Sequence, residues 1–240
     1  MNIYAMTVTR ANTAARAQLL LRTLTEARNT AKAPFFWHLF TQEQTLAANI
    51  CQSALELKLI DKLTLWPDNR GQHVAFNAAL TCAKTEGAKH LLRLDDDVEF
   101  ITRGWLRKLS EAMAIFKDVA ILAPQVIGLK HPPERFTETD VDGIPVEFLT
   151  SAIGGVCRLH PVALLDKGEY VSDVRLPLGS GDATGIGTWC QNNGIPMAWI
   201  KTARVRHLTV KQDENDPEHK VSQNLAYLIP YVPPWSPTCE

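Results

Sequence analysis

Over the first 94 residues, short apolar runs alternate three times with segments of helical periodicity, and a fourth apolar run follows. Such alternation is the pattern of a largely parallel sheet with helices on both faces. The runs are Ile3 to Val8, Phe35 to Phe40, Leu63 to Trp66 and Lys89 to Leu94. One helix is predicted from about Thr13, with Ala17, Leu20, Leu21, Leu24 and Ala27 on one face. A second is predicted from Gln42 to Leu57, and a third from about Gln72 to Thr85, ending near Gly87. Open sheets of this kind bind ligands beyond the carboxyl ends of their strands. Thr9-Arg10, Asp68-Asn69-Arg70 and Asp95-Asp96-Asp97 all fall at such ends.

The last of these ends a buried run in three adjacent carboxylates. Ionised carboxylates side by side repel and call for a compensating cation. At a strand end a hard divalent metal, with positions open to phosphate oxygens, would serve. The plainer reading is a solvated turn that stops the strand.

Further along, Thr102 is placed to cap a helix whose inner face is Trp105, Leu106, Leu109, Met113 and Phe116. Val119 to Ala123 reads as a strand, and Pro124 to Pro145 as loop. Val146 to Leu149 and Ile153 to Leu159 read as strands around Gly154-Gly155, and Pro161 as the start of a short helix. After a loop from Leu176, a helix runs from about Asp182 to Asn193, closed by Gly194. Met197 to Lys201 and Val205 to Leu208 are candidate strands.

A net charge of −1 excludes a general basic field that would draw the chain to nucleic acid or anionic membrane. The five cysteines are scattered and form no CxxC pair, which fits reduced thiols in a cytoplasmic protein. Neither a signal pattern nor an apolar run of membrane-spanning length is present, so no transmembrane segment is expected.

Taken in order, several pieces resemble family 2-type glycosyltransferases of the GT-A fold. Thr9-Arg10-Ala11-Asn12 is similar to the family's opening loop. Asn69-Arg70-Gly71-Gln72-His73-Val74-Ala75-Phe76-Asn77-Ala78-Ala79-Leu80 resembles its asparagine-glycine-rich helix start. Leu94-Asp95-Asp96-Asp97-Val98-Glu99 resembles its DxD metal motif. Gly154-Gly155-Val156-Cys157-Arg158 matches the place of its acceptor-side glycine strand, Gly181-Asp182 that of its catalytic base, and Val205-Arg206-His207 its late histidine. The resemblance covers about residues 1 to 208. It departs from the family at Thr41-Gln42-Glu43, where an acidic or serine-rich turn is usual, and at Gly181-Asp182, where a Glu-Asp pair is usual. No QxxRW motif follows, unlike in processive polysaccharide synthases.

The resemblance implies an α/β, GT-A (Rossmann-like) fold: a mostly parallel central sheet flanked by helices, with a small antiparallel acceptor-side region. It implies one catalytic domain over residues 1–210, with 1–100 as the nucleotide-binding half and 101–210 as the acceptor-side half. Residues 211–240 form a charged, then proline-rich, C-terminal extension. The implied activity is metal-dependent, inverting transfer of a hexosyl or pentosyl group from a nucleotide-diphosphate donor, a UDP-sugar first, to an acceptor hydroxyl. Mn2+ or Mg2+ would be the cofactor. Asp97, Asp95 and His207 would hold the metal, with Asp95 also a contact to the ribose or the metal's water shell. Asp182 would be the general base, though the residue type equally suits a helix N-cap.

Thr9, Arg10, Asn69, Arg70, Asp95, Asp96, Gly154 and Gly155 would contact the donor. Guanidinium matches phosphate geometry, and paired glycines let backbone approach a sugar closely or mark a bend. A histidine beside a strand is otherwise a hydrogen-bonded structural residue. Trp189 and Trp199 would form either an apolar platform for a sugar or part of the core.

A glycan, a lipid-linked sugar or a small molecule would be the acceptor. A hydroxymethylated base of phage-type DNA is the alternative, with Lys201, Arg204, Arg206 and Lys211 as the available cations. A nucleotidyltransferase is a weaker reading, because Thr9-Arg10-Ala11-Asn12 is not a GxGTR-like loop. A non-catalytic nucleotide-sugar-binding module is a third reading, and it would not need Asp95, Asp97 and Asp182 together.

Overall fold

Each of the first two helices begins where a threonine hydroxyl accepts a backbone N–H that the helix itself leaves unpaired. Thr13 accepts from Arg16 N at the start of α1 (Ala14–Thr30), which follows β1 (Ile3–Val8). Thr45 accepts from Ala48 N at the start of α2 (Leu46–Glu56), which follows β2 (Phe36–Gln42). Then come β3 (Lys62–Trp66), α3 (Gly71–Thr85), β4 (His90–Leu94), β5 (Val98–Phe100), α4 (Trp105–Ile115), β6 (Ile121–Ile127), β7 (Phe136–Val141), β8 (Ile144–Leu149), β9 (Cys157–Pro161), α5 (Val162–Leu165), α6 (Gly181–Asn192) and β10 (Met197–His207). This computed structural model describes residues 2–129, 136–150, 153–165 and 181–208.

The ten strands among the described residues join one sheet, in the order β3-β2-β1-β4-β9-β6-β10-β8-β7, with β5 on the end of β10. Six of the seven strands from β3 to β10 run the same way, and β9 alone is reversed. The sheet is therefore mostly parallel at its centre and flanked by helices, with β8, β7 and β5 added antiparallel. Side chains sort to two faces. On one, Trp37 meets the Arg28 guanidinium of α1, and Phe148 meets Phe116 just after α4. On the other, Arg93 bonds Gln72 and His160 meets Phe76, both on α3. Trp37, Trp105, Tyr4, Phe40 and Phe76 are the large anchors of the core.

The structure corrects several expectations. The described parts of the stretch from Pro124 to Pro145 are mostly strand rather than loop. Pro124 lies inside β6, and β7 and β8 form a hairpin closed by Asp142-Gly143, both at positive φ. That pair is a strong hairpin signal, which the prolines and polar residues around it hid. The two strands expected near the C-terminal side are one, β10, whose register against β6 jumps between Ile200 and Arg204. The jump falls opposite Pro124, which has no N–H to give a ladder.

Thr102 does not cap α4; its hydroxyl accepts from Arg204 N at 2.9 Å, and Gly104 is the N-cap. Gln42 belongs to β2 rather than to α2. Pro161 ends β9 instead of opening α5, and Gly154-Gly155 precede β9 rather than lying within a strand. The charged and proline-rich extension at 211–240 lies outside the described residues.

A buried polar chain crosses the first three strands. The Tyr4 hydroxyl lies 2.7 Å from His38 Nδ1, and His38 Nε2 lies 2.8 Å from Thr64 Oγ1. Burial, helped by the charge of Lys62, pushes the His38 imidazole down to about 3 from its ordinary 6.5. Folded His38 therefore refuses a proton that the unfolded chain accepts below pH 6.5, so its contribution is intact above that pH and declines as pH falls toward 3. Between pH 7 and pH 5 urea unfolding should show the wild type losing about 2 kcal/mol more stability than His38→Gln.

Candidate active site

Strand order reverses at β1, which has β2 on one side and β4 on the other. At such a switch point the helices leave to opposite faces and open a crevice at the carboxyl ends of the strands. Thr9 lies just past β1 and the carboxylate triplet just past β4. The two ends are tied together, since Thr7 Oγ1 donates to Leu94 O at 2.8 Å and itself accepts from Trp37 Nε1 at 3.0 Å.

His207 reaches the same place from a distant part of the chain. β10 runs parallel to β6, so its carboxyl end lies on the same edge of the sheet. There it pairs antiparallel with β5, with His207 opposite Val98, and Leu208 N donates to Asp97 O at 2.8 Å. From the other side, the buried Thr23 hydroxyl of α1 donates to Val98 O at 3.2 Å and accepts from Val98 N at 3.1 Å. The backbone beside Asp97 is held by β10 and α1 at once.

The three carboxylates have different surroundings. Asp95 Oδ1 accepts from Arg93 Nη1 at 2.5 Å, and its backbone N–H donates to Val156 O at 2.8 Å. Asp96 is spent inside the protein: Thr9 Oγ1 donates to Oδ2 at 2.5 Å and Arg16 Nη2 to Oδ1 at 2.9 Å. Asp97 Oδ2 takes Arg16 Nη1 at 3.0 Å and lies 3.3 Å from His207 Nε2. Asp97 Oδ1 is buried and has no hydrogen-bond partner among the described residues.

Burial raises the Asp95 carboxyl despite Arg93, and pushes Asp96 up to about 6 despite Arg16. Burial pushes Asp97 the same way, but the His207 contact and the Arg16 guanidinium together hold it below the usual carboxylate range. The same contact raises His207 above its ordinary value.

An orphaned buried carboxylate oxygen is costly unless something else takes its lone pairs. Asp95, Asp97 and His207 each offer a ligand atom, and these atoms lie within 4.8 Å of one another. Two carboxylate oxygens and an imidazole suit Mn2+ or Mg2+, so the donor set fits a divalent ion. The carboxylates are nevertheless not uncompensated, as the sequence pattern suggested, because Arg16 and Arg93 already lie on them.

Among the other expected residues, Arg10 is half-buried next to Thr9. Asn69 and Arg70 are engaged within their own turn. Asn69 Oδ1 accepts from Gly71 N, and Arg70 donates to Asp68 at 3.0 Å while lying over the Trp66 ring. Asp182 is the second residue of α6, and its side chain lies outside the described part. Gly155 packs against the Arg93 guanidinium, whereas no atom of the described residues lies within 4 Å of where a Gly154 side chain would start. Trp199 is buried in the core and Trp189 packs against it. Lys201 is paired with Glu138 and Glu147, and Arg206 with Glu99; Lys211 lies outside the described residues.

Sequence reasoning missed Arg16, Thr23, Gln72 and Arg93. A charged residue inside an apolar run, two positions before a carboxylate, was the available signal for Arg93. Arg16 on a helix reads as surface, and Thr23 as an indifferent helical residue.

No protein-family profile and no curated protein sequence matches the chain. Solved structures do. GalNAc-T7 with UDP, GalNAc and Mn2+ superposes with a TM-score of 0.65 at 13% identity, over 87% of this chain and 44% of that one. S. aureus TarS 1-349 in complex with UDP-GlcNAc gives 0.58 at 11% identity, over 94% of this chain and 65% of that one. A second structure of S. aureus TarS 1-349 gives 0.59 at 11% identity, over 86% and 60%. This chain spans less than two thirds of the length of these proteins. At such identities the likeness is one of fold: the chain has the mixed α/β architecture of GT-A-like glycosyltransferases. The described residues contain no helix long and apolar enough to cross a membrane.

A Cβ on Gly155 would lie 2.9 to 3.1 Å from the Arg93 guanidinium, too close without a shift of that side chain, whereas one on Gly154 would meet no atom of the described residues within 4 Å. Gly155→Ala should therefore push Arg93 off Asp95 and cost about 1–3 kcal/mol in a thermal melt, with Gly154→Ala near neutral.

Proposed function

We propose that this chain is a divalent-metal-dependent, inverting glycosyltransferase. It moves a hexosyl or pentosyl group from a nucleotide-diphosphate donor to an acceptor hydroxyl. The observation that carries the reading is the buried Oδ1 of Asp97, without a hydrogen-bond partner among the described residues, beside Asp95 and His207 in a crevice of a fold also found with UDP, UDP-GlcNAc and Mn2+ in other proteins. Those same ligands make UDP-sugars the first donors to test and Mn2+ the first metal, with Mg2+ second.

Asp97, Asp95 and His207 would hold the ion. Bound there, it would supply Lewis-acid neutralisation of the leaving diphosphate. The chain's own residues do the rest. Asp96 anchors Arg16 and Thr9 and so keeps the loop in shape. Arg10 and Arg70 are the candidates to orient the donor's phosphates or base, with Thr9 and Asn69 beside them. Among the described residues nothing crowds Gly154, which leaves room for a substrate to come close to its backbone. Asp182, on the first turn of α6, takes the acceptor's proton as its oxygen attacks the anomeric carbon in line with the departing diphosphate.

A glycan or small molecule is the favoured acceptor. The DNA alternative needs a basic surface, and Lys201 and Arg206 are already matched by carboxylates. Cys51, Cys157 and Cys190 are buried cysteines outside any disulfide, which supports a cytoplasmic setting.

Purified protein incubated with a panel of nucleotide sugars and Mn2+ should release free nucleoside diphosphate from at least one of them. Asp97→Ala should abolish the metal-dependent release, and Asp96→Ala should reduce it less. Asp182→Asn should lower kcat by about 100-fold or more while leaving donor binding unchanged. Failure of every donor in the panel either to turn over or to bind would overturn the proposal. Binding without turnover would return the chain to the non-catalytic reading.

A further inference from the structure

Arg93 answers Asp95 alone among the three carboxylates, while Arg16 is shared between the other two. Arg16 sits in the first turn of α1, and its side chain is 17% exposed. One Nη is fixed by Asp96, whose other oxygen is taken by Thr9. The second Nη falls on Asp97 Oδ2, the oxygen that His207 also approaches, and leaves Oδ1 over. A guanidinium anchored on a carboxylate that is itself committed thus places its charge on the carboxylate that would hold a metal.

The charge balance has a chemical consequence. In the form a metal ion would need, with His207 deprotonated and the three carboxylates ionised, these carboxylates and the two guanidiniums carry a net −1; without Arg16 they would carry −2. The attraction of a divalent ion scales with that net charge. We infer that Arg16 is a built-in counter-cation that weakens the site's hold on a free divalent ion. Given the function proposed above, on which this rests, the ion is then held well only together with a nucleoside diphosphate, whose own negative charge makes up for what Arg16 cancels. A purely structural Arg16, serving to orient Asp97, predicts the opposite sign: its loss would weaken metal binding.

Mn2+ binding to the full chain, followed by electron paramagnetic resonance with and without UDP, separates the two. Arg16→Gln should bind Mn2+ alone about tenfold more tightly than wild type, and UDP should then add less to Mn2+ affinity than it does in wild type. Arg16→Lys, which keeps the charge, should stay within about threefold of wild type for Mn2+ alone. Circular dichroism melts establish that each variant is folded, and Arg16→Met replaces the glutamine variant if that one is not. Folded Arg16→Gln or Arg16→Met binding Mn2+ alone no more tightly than wild type overturns the inference. If the neutral variant binds more tightly but no nucleoside diphosphate alters Mn2+ affinity in wild type, the counter-cation role stands and the diphosphate donor falls. If no protein binds Mn2+ with or without UDP, both fall.

Discussion

The peptide after Asp97 is gripped from two directions, and the rest of the site hangs from that grip. Thr23 uses one hydroxyl to satisfy both the N–H and the C=O of Val98, while β10 pairs with the same short strand from the other side. A three-residue strand is too short to hold a position by itself. Held between a helix and a sheet, it fixes the distance between Asp97 and a histidine 110 residues later. The reversal of strand order at β1 supplies the crevice, and β5 supplies the register within it.

Electrostatically the triplet is three sites rather than one. Burial works against charge at all of them, and what differs is the partner. Asp95 and Asp96 stay raised even with guanidiniums in contact, whereas Asp97, between an imidazole and a guanidinium, is held ionised. The carboxylate best suited to bind a cation is also the one with an oxygen to spare. Identical neighbours along the chain thus take separate jobs because each meets different partners: Asp95 meets Arg93 of β4, Asp96 meets Thr9 just past β1 and Arg16 of α1, Asp97 meets Arg16 of α1 and His207 of β10.

The parts of this arrangement legible in the sequence are those with a short-range signature. Ile3–Val8 and the run ending at Leu94 announce themselves by apolar character and by what stops them, and Gly154-Gly155 stand out by composition. The parts not legible depend on pairing across the fold. Nothing near Arg16 says that its guanidinium will span two aspartates 80 and 81 residues away. Val98–Phe100 looks like the tail of a turn until β10 lies beside it. In the hairpin the failure was one of weighting: Asp142-Gly143 was the better signal, and the prolines around it drew the reading toward loop. Thr102 shows the same limit, because whether a threonine caps a helix depends on which N–H reaches it first, and Arg204 does.

One consequence follows from the register jump opposite Pro124. Below it β10 is bonded to β8, and above it to β5, so a single strand belongs to the outer hairpin at one end and to the carboxylate crevice at the other. A slip of one residue in an ordinary strand turns every side chain beyond it to the wrong face. Here the break in register between Ile200 and Arg204 separates the stretch of β10 that pairs with β8 from the stretch that pairs with β5. The seat of His207 opposite Val98 is thus set on the far side of that break from the outer hairpin.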